Sequence, residues 1–243
     1  MPGEDTVRTL KNFITSKIVQ GPALINKQFC FVRALVVSEL TLLNGRRGNE
    51  CTNMTVQNWQ EAKLNKYFKN HPRKDMISPG LLERYKLTYI SGKGKKAVPV
   101  LIPDSCFEIL DLLTDPLTRS KAGIHPENNF VFPSSGSSLF QACGYSDLQS
   151  IAKKAGVKIT ATGMRHLLST HFSVMDFTAQ ERDVLYEHFS HAENINKEVY
   201  QAPRSIQELT VATRAIEGFH QYLSKLGVVS VFYEMNFSYN FLI

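Results

Sequence analysis

Apolar residues recur at helical spacing through residues 26–43, where Phe29, Val32, Leu35, Val36, Leu40 and Leu43 form one stripe before Asn44-Gly45. This pattern predicts a core helix that stops at the Asn-Gly pair and a compact turn that presents Arg46, Arg47 and Glu50. Residues 60–80 then lose the periodicity, are rich in Lys and contain His71-Pro72 and Pro79-Gly80, which reads as a surface connection. Residues 85–90 read as a β-strand, Ser91-Gly92-Lys93-Gly94-Lys95 as its turn and residues 97–102 as the returning strand, giving a hairpin with a basic tip. Asp104 at an N-cap position opens a helix through Leu113, and Phe130-Val131-Phe132 before Pro133 predicts a further short strand. Helices are expected at 138–155, 162–175 and 178–188, with Gly156 as the stop of the first. A last one is expected over 205–226, where Ile206, Leu209, Ile216, Phe219 and Leu223 fall near one stripe. The expected fold is therefore mainly α with a small antiparallel β-sheet, an α+β arrangement without internal repeats.

Composition adds a bound on size and a hint about the partner. A chain of 243 residues with 43% hydrophobic and 21% charged residues can bury one sizeable core. The 28 Lys and Arg against 22 Asp and Glu give a formal charge of +6, which favours a polyanionic partner. Cys30, Cys51, Cys106 and Cys143 form no CxxC pair and have no His at zinc-finger spacing, so no metal site is expected. The first three sit among residues read as core-facing, and buried thiols in a reducing compartment are the expectation. Residues 1–9 carry Glu4, Asp5 and Arg8 and lack the apolar stretch of a signal peptide. The apolar tail over 228–243 is too short to span a bilayer and is broken by Glu234, Asn236 and Asn240. A soluble intracellular protein without a membrane partner is expected, nuclear if the source is eukaryotic.

The residues that carry chemistry are scattered but ordered. Breaking a phosphodiester without a metal requires a nucleophile, cations around the non-bridging oxygens and an acid for the departing oxygen. Candidates for all three appear in sequence: Arg47 after a helix, Lys93 on a hairpin tip, Arg165 in TGMRHLLSTH, His191 in FSH, and Tyr200 nine residues later.

In order and local context these residues resemble the signature of the tyrosine recombinase (phage integrase) family, over roughly residues 24–203. LLNGRRGNE is similar to the family's helix-ending G-x-R-x-x-E and places Gly45, Arg47 and Glu50 on it. GKGKKAVPV resembles the catalytic hairpin, with Lys93 as its lysine and Lys95 as the local rival. Met164-Arg165-His166 with Thr170-His171 resembles the L-R-H-x-x-x-T-H box, and Phe189-Ser190-His191 takes the place of L-G-H ahead of the tyrosine. Each motif is modest alone, but five in the right order are not expected by chance. The doubled arginine followed by a segment containing Trp59 looks most like the crypton group of mobile elements. Two departures stand out: Thr162 occupies the position where the box usually begins with a histidine, and residues 1–23 form only a short N-terminal segment where family members usually carry a helical DNA-clamping domain.

The resemblance implies a catalytic region over 24–203 followed by a C-terminal helix and apolar tail over 204–243. It implies that Tyr200 attacks the scissile phosphorus to form a 3′-phosphotyrosyl link, consuming no cofactor. Arg47 and Arg165 would clamp the non-bridging oxygens, Lys93 would protonate the leaving 5′-oxygen, His191 would bind the phosphate or help accept the tyrosine proton, and Glu50 would hold Arg47 in place. Thr162 could donate one hydrogen bond there but carry no charge. Lys95, Lys96, Lys153, Lys154 and Lys158 are candidate contacts to double-stranded DNA, on which a homo-oligomer is expected. His166, His171 and His188 are read as structural and Trp59 as packing. Two other functions fit the same residues: a DNA-binding protein derived from such an enzyme without cleavage, and a type IB topoisomerase, which uses a similar site.

Overall fold

The computed structural model describes residues 2–69, 77, 79–92, 94, 96–173, 175, 177–189 and 208–225. Within them helices predominate, and the single sheet is a two-stranded antiparallel ribbon. Helix α1 (Glu4–Ile18) buries Val7, Leu10, Ile14 and Ile18, a stripe at spacings of three and four, against α2 (Gly21–Leu43). The stretch read from sequence only as a short N-terminal segment is thus a packed helix.

Helix α2 is the hub. It breaks its regular geometry at Gln28 and then runs almost wholly buried from Val32 to Leu43, because α1, α5 (Phe107–Thr114) and α7 (Gly144–Lys154) enclose it. Its buried charged residues, Arg33 and Glu39, are matched inside: the Arg33 fork meets the Asp147 carboxylate on α7 at 2.9 and 3.1 Å and donates to the Pro133 carbonyl at 2.8 Å. Lys11 of α1 reaches Glu39 at 2.5 Å. A buried pair of this kind contributes little by itself, but removing one partner would strand a charge in the core.

After α2 a short 3-10 turn (Cys51–Asn53) leads to α3 (Val56–Lys63), whose start carries a reciprocal Thr55–Asn58 capping box. Trp59 packs as expected, buried against Phe107 with its indole N–H donated to Asp111 at 2.8 Å. The polar stretch read as a surface connection contributes Ala62, Phe68 and Ile77 to the core, so it lies on the core rather than only over it. Helix α4 (Pro79–Arg84) precedes strands β1 (Tyr85–Ser91) and β2 (Ala97–Pro103), which pair from Tyr85↔Pro103 to Ser91↔Ala97. This is the hairpin expected from sequence, one residue longer on each strand.

Asp104 opens a 3-10 turn (Asp104–Cys106) rather than capping α5 directly. Helix α6 (Pro116–Lys121) follows, with Asp115 as a true N-cap. Residues 130–132 do not join the sheet: Thr55↔Phe130 and Pro133↔Gln141 are isolated bridges, and Val131 is simply buried beside Met54, to whose carbonyl it donates. The helix expected at 138–155 begins only at Gly144, because residues 134–142 turn back on themselves through Ser134 N–H to Phe140 and Ala142 N–H to Phe132.

Helices α8 (Ala161–Ser173), α9 (Ala179–His188), a π-turn (Glu208–Ala212) and α10 (Thr213–Lys225) complete the described elements. Leu209, Ala212, Ile216 and Phe219 are buried within this same chain. All four cysteines are free thiols; Cys51 and Cys106 are buried as expected, whereas Cys30 is exposed, since it lies off the stripe formed by Phe29, Val32 and Val36. Among the described residues no helix is long and apolar enough to cross a membrane, and no group of three or more His, Cys, Asp or Glu gathers at one point.

Candidate functional site

The site is built on the segment that leaves α2. Gly45 N–H reaches the Leu42 carbonyl at 3.4 Å and Arg46 N–H the Thr41 carbonyl at 3.0 Å, the paired bonds of a Schellman stop. Gly45 has φ +55°, and a Cβ there would lie 2.7 Å from the Phe189 ring, so glycine is required both by conformation and by close approach. Asn44 donates to Leu40 and to the Leu101 carbonyl, each at 2.9 Å, and accepts from Leu101 N–H at 2.8 Å. The helix end is thereby stitched to β2.

The two arginines of NGRRGNE then part company. Arg46, expected to be presented at the turn, is buried and donates to the Pro99 carbonyl of β2. Its burial follows from a partner 53 positions away that no local pattern reveals. Arg47 faces outward, its side chain 42% exposed, with one guanidinium nitrogen at 2.8 Å from Glu50 Oε1. Glu50 Oε2 also accepts the Arg47 backbone N–H at 3.0 Å, so one buried carboxylate grips both ends of the residue. Burial acts to raise the Glu50 pKa, but the Arg47 hydrogen bonds and the charges of Arg46 and Arg47 outweigh it and hold the carboxyl below its ordinary value.

Arg165 arrives from a different part of the chain, on the second turn of α8. Its Nη2 donates to the Phe189 carbonyl at 2.9 Å. Partial burial lowers its pKa, the positive charge of Arg47 lowers it further, and the negative charge of Glu50 works the other way. A guanidinium stays protonated through such a shift, so the physical content is that Arg165, 118 positions from Arg47 in sequence, lies within the electrostatic reach of both Arg47 and Glu50. Phe189 begins the F-S-H motif, is buried, stacks on Phe172 at 5.1 Å and abuts Gly45. The motif therefore starts between Arg165 and the glycine that ends α2. Thr162 is exposed one turn before Arg165 on the same helix.

The hairpin is tied to the same segment along both edges. Arg46 and Asn44 bind the outward carbonyls of Pro99 and Leu101 on β2, while Asn58 and Asn53 donate to Tyr89 and Ser91 of β1 at 3.2 and 2.6 Å. A two-stranded ribbon would otherwise leave these groups unpaired. Lys96 is exposed at the base of the turn, where its carbonyl accepts Gly92 N–H at 2.7 Å. Lys93, Lys95, His191 and Tyr200, expected from sequence as site residues, lie outside the described residues.

Helix α7 starts against the arginine turn and ends away from it. A Cβ on Gly144 would sit 2.1 Å from the Gly48 carbonyl, and Asn49 Oδ1 accepts Tyr145 N–H at 3.0 Å. Lys153 and Lys154 stand exposed at the far end of the helix, about 15 Å along its axis. There Lys154 Nζ lies 5.4 Å from the Phe31 ring. Lys158 is exposed on the loop that Gln149 holds through the Ile159 carbonyl at 2.7 Å. Lys153 and Lys154 are thus carried away from the end of α7 that meets Gly48 and Asn49. Of the histidines read as structural, His188 is buried, His171 packs 5.0 Å from Phe219, and His166 is exposed. Asn49 and Asn53 escaped the sequence reading, and Asn44 was read only as part of a helix stop, not as a tie to β2; NGRRGNECTN offers only a cluster of Asn around the arginines as a signal.

No protein-family model matches the chain, and no curated protein matches it. Among solved structures it is similar to the XerH site-specific recombinase bound to palindromic difH substrate in a post-cleavage complex, with a TM-score of 0.45 and 18% identity. The likeness covers 93% of this chain and 52% of that one, so the chain spans about half the length of the recombinase it matches.

Proposed function

We propose that this chain cleaves and rejoins DNA strands by the tyrosine recombinase route, with Tyr200 as nucleophile. The observation that carries the reading is that Phe189, the first residue of the F-S-H motif, accepts a hydrogen bond from Arg165 and packs against Gly45 of the turn on which Glu50 holds Arg47, with the two arginines close enough to feel each other's charge. The guanidinium groups of Arg46, Arg47 and Arg165 outnumber the one Glu50 carboxylate within electrostatic reach, and a phosphate diester would supply negative charge against that excess. The outward edge of Arg47 offers a planar donor fork for its non-bridging oxygens.

In the proposed reaction the Tyr200 hydroxyl gives up its proton, with His191 as acceptor, and its oxygen bonds to the scissile phosphorus. The P–O5′ bond breaks, and Lys93 delivers a proton to the departing oxygen. Arg47 and Arg165 hold the charge that accumulates on the equatorial oxygens, and Glu50 keeps Arg47 oriented. Attack by a 5′-hydroxyl reverses the step and returns the tyrosine. Lys95, Lys96, Lys153, Lys154 and Lys158 would meet neighbouring phosphates of the duplex. A homo-oligomer on intracellular DNA belongs to the same reading. An affinity with crypton elements rests on sequence alone, since Arg46 of the doubled arginine and Trp59 both serve packing.

Thr162 favours a second reading, a DNA-binding derivative that has given up cleavage, because no imidazole stands in its place on α8. Suicide substrates that trap the covalent intermediate separate the two. The parent chain is expected to form adduct, and Thr162→His to form it faster or with a pH dependence shifted toward the imidazole range. No adduct from either protein would favour the DNA-binding derivative.

A further inference from the structure

The four side chains that clamp the hairpin do not act at the same height. Asn44 and Arg46 hold Leu101 and Pro99, and Asn58 holds Tyr89, all inside the ladder. Asn53 alone among these four holds Ser91, which pairs with Ala97 in the last rung before the turn. Its backbone N–H is donated to the Glu50 backbone carbonyl at 3.0 Å, so Asn53 is fixed to the backbone of the residue whose carboxylate grips Arg47. On its other side its Oδ1 accepts from Gln141 Nε2 at 3.0 Å, and Gln141 is held in turn by a bridge to Pro133. An Asn amide suits this place because it donates and accepts at once.

We infer that Asn53 is a positioning residue that sets the mouth of the β1–β2 hairpin against the arginine turn, using Gln141 as its brace. The inference rests on the cleavage reading above, in which the hairpin delivers the proton to the leaving oxygen. Asn53 touches no reacting atom; it acts through the rung at Ser91. A rung free to swing would misplace the acid while leaving the phosphate clamp intact, since Arg47 and Arg165 are held by Glu50 and Phe189.

The test uses Asn53→Ala, Asn53→Asp and Gln141→Ala in the full chain, with far-ultraviolet circular dichroism to establish that each folds. Hydrogen exchange by NMR comes first. Asn53→Ala should speed exchange about 5-fold at Gly92, Ile90 and Val98, the loss expected of one hydrogen bond, with Lys86 and Ile102 unchanged. Asn53→Asp keeps the acceptor for Gln141 but sets a carboxylate against the Ser91 carbonyl, and should loosen the same rung. Gln141→Ala should do so more weakly. Cleavage is then compared on two suicide substrates, one with the natural bridging oxygen and one with sulfur at the 5′-bridging position.

Asn53→Ala should slow cleavage of the oxygen substrate by about 10- to 100-fold, the scale of a small misplacement. A thiolate leaves without needing a proton at neutral pH, so sulfur should restore most of that rate, as it should for Lys93→Ala and should not for Arg47→Ala. Unchanged exchange at Gly92, Ile90 and Val98 would overturn the anchoring. A cleavage defect that sulfur does not relieve, or no defect at all, would overturn the role in proton delivery. A parent chain that forms no adduct would overturn the cleavage reading, and the exchange result would still decide whether Asn53 anchors the hairpin.

Discussion

Residues 44–53 and the outer end of α7 both carry positive charge, yet they are constructed differently. In the first, Arg47 is gripped at backbone and side chain by Glu50, the helix end is stitched to β2 by Asn44, and Gly45 and Gly48 admit Phe189 and α7 at distances that a Cβ would forbid or crowd. In the second, Lys153, Lys154 and Lys158 are exposed, and a cation–π approach of Lys154 to Phe31 is the one side-chain contact described for them. Holding a long side chain in one place costs conformational entropy, so such extensive fixing is worthwhile only where geometry matters. On the cleavage reading proposed above, the arginine turn would serve a transition state and the lysines attraction to a polyanion.

The largest effects that would break this contrast fall on the arginines. Arg47→Ala and Arg165→Ala should each lower the single-turnover cleavage rate by about 100-fold or more while DNA affinity changes far less, because their donors matter most as charge develops on phosphate. Rate and affinity falling together in a filter-binding and cleavage comparison would make them ordinary electrostatic contacts like the lysines.

Glu50 gives an intermediate effect that depends on pH. Its folded-state pKa is depressed below the ordinary 4.5, so the stability it contributes is fully present above that value and is lost as pH falls through the lowered one. Thermal unfolding between about pH 5 and 3 should therefore show the parent losing stability more steeply than Glu50→Gln, whose amide does not titrate. Parallel curves would mean that the carboxylate does not hold the turn.

The smallest effect belongs to α7. Replacing Lys153, Lys154 and Lys158 by Ala should weaken binding evenly across DNA sequences and lower the slope of log affinity against log salt by about 1 per lysine. The cleavage rate at saturating DNA should change far less than in Arg47→Ala. A loss of rate comparable to that of the arginine variants would erase the distinction between the two regions.

Much of this division was legible before the structure, in uneven measure. The end of α2 at Asn44-Gly45, the hairpin and the starts of α8 and α9 follow from local patterns whose physics is local: a helix stop, period-two alternation, helical stripes. The stripe Val7, Leu10, Ile14 and Ile18 was equally local and marks α1. What the pattern could not reveal depends on distant partners. Arg46 and Arg47 are adjacent and chemically identical, and only the Pro99 carbonyl decides that one is buried scaffold and the other faces outward. Phe130-Val131-Phe132 has the composition of a strand but no neighbouring strand to pair with along its length, so it is buried without a ladder. That Arg47 and Arg165 would act together was implied by motif order; that Arg165 feels the charges of Arg47 and Glu50, and that Asn53 ties the hairpin to the Glu50 backbone, came only from the fold.

The most direct measurement is denaturing electrophoresis of parent and Tyr200→Phe proteins after incubation with a labelled suicide duplex, alongside their DNA affinities. Loss of a single nucleophilic oxygen should abolish the covalent adduct formed by the parent and leave affinity within about 2-fold. An adduct that persists in Tyr200→Phe, or a parent that binds the duplex and never forms one, would contradict cleavage by Tyr200 at the arginine pair.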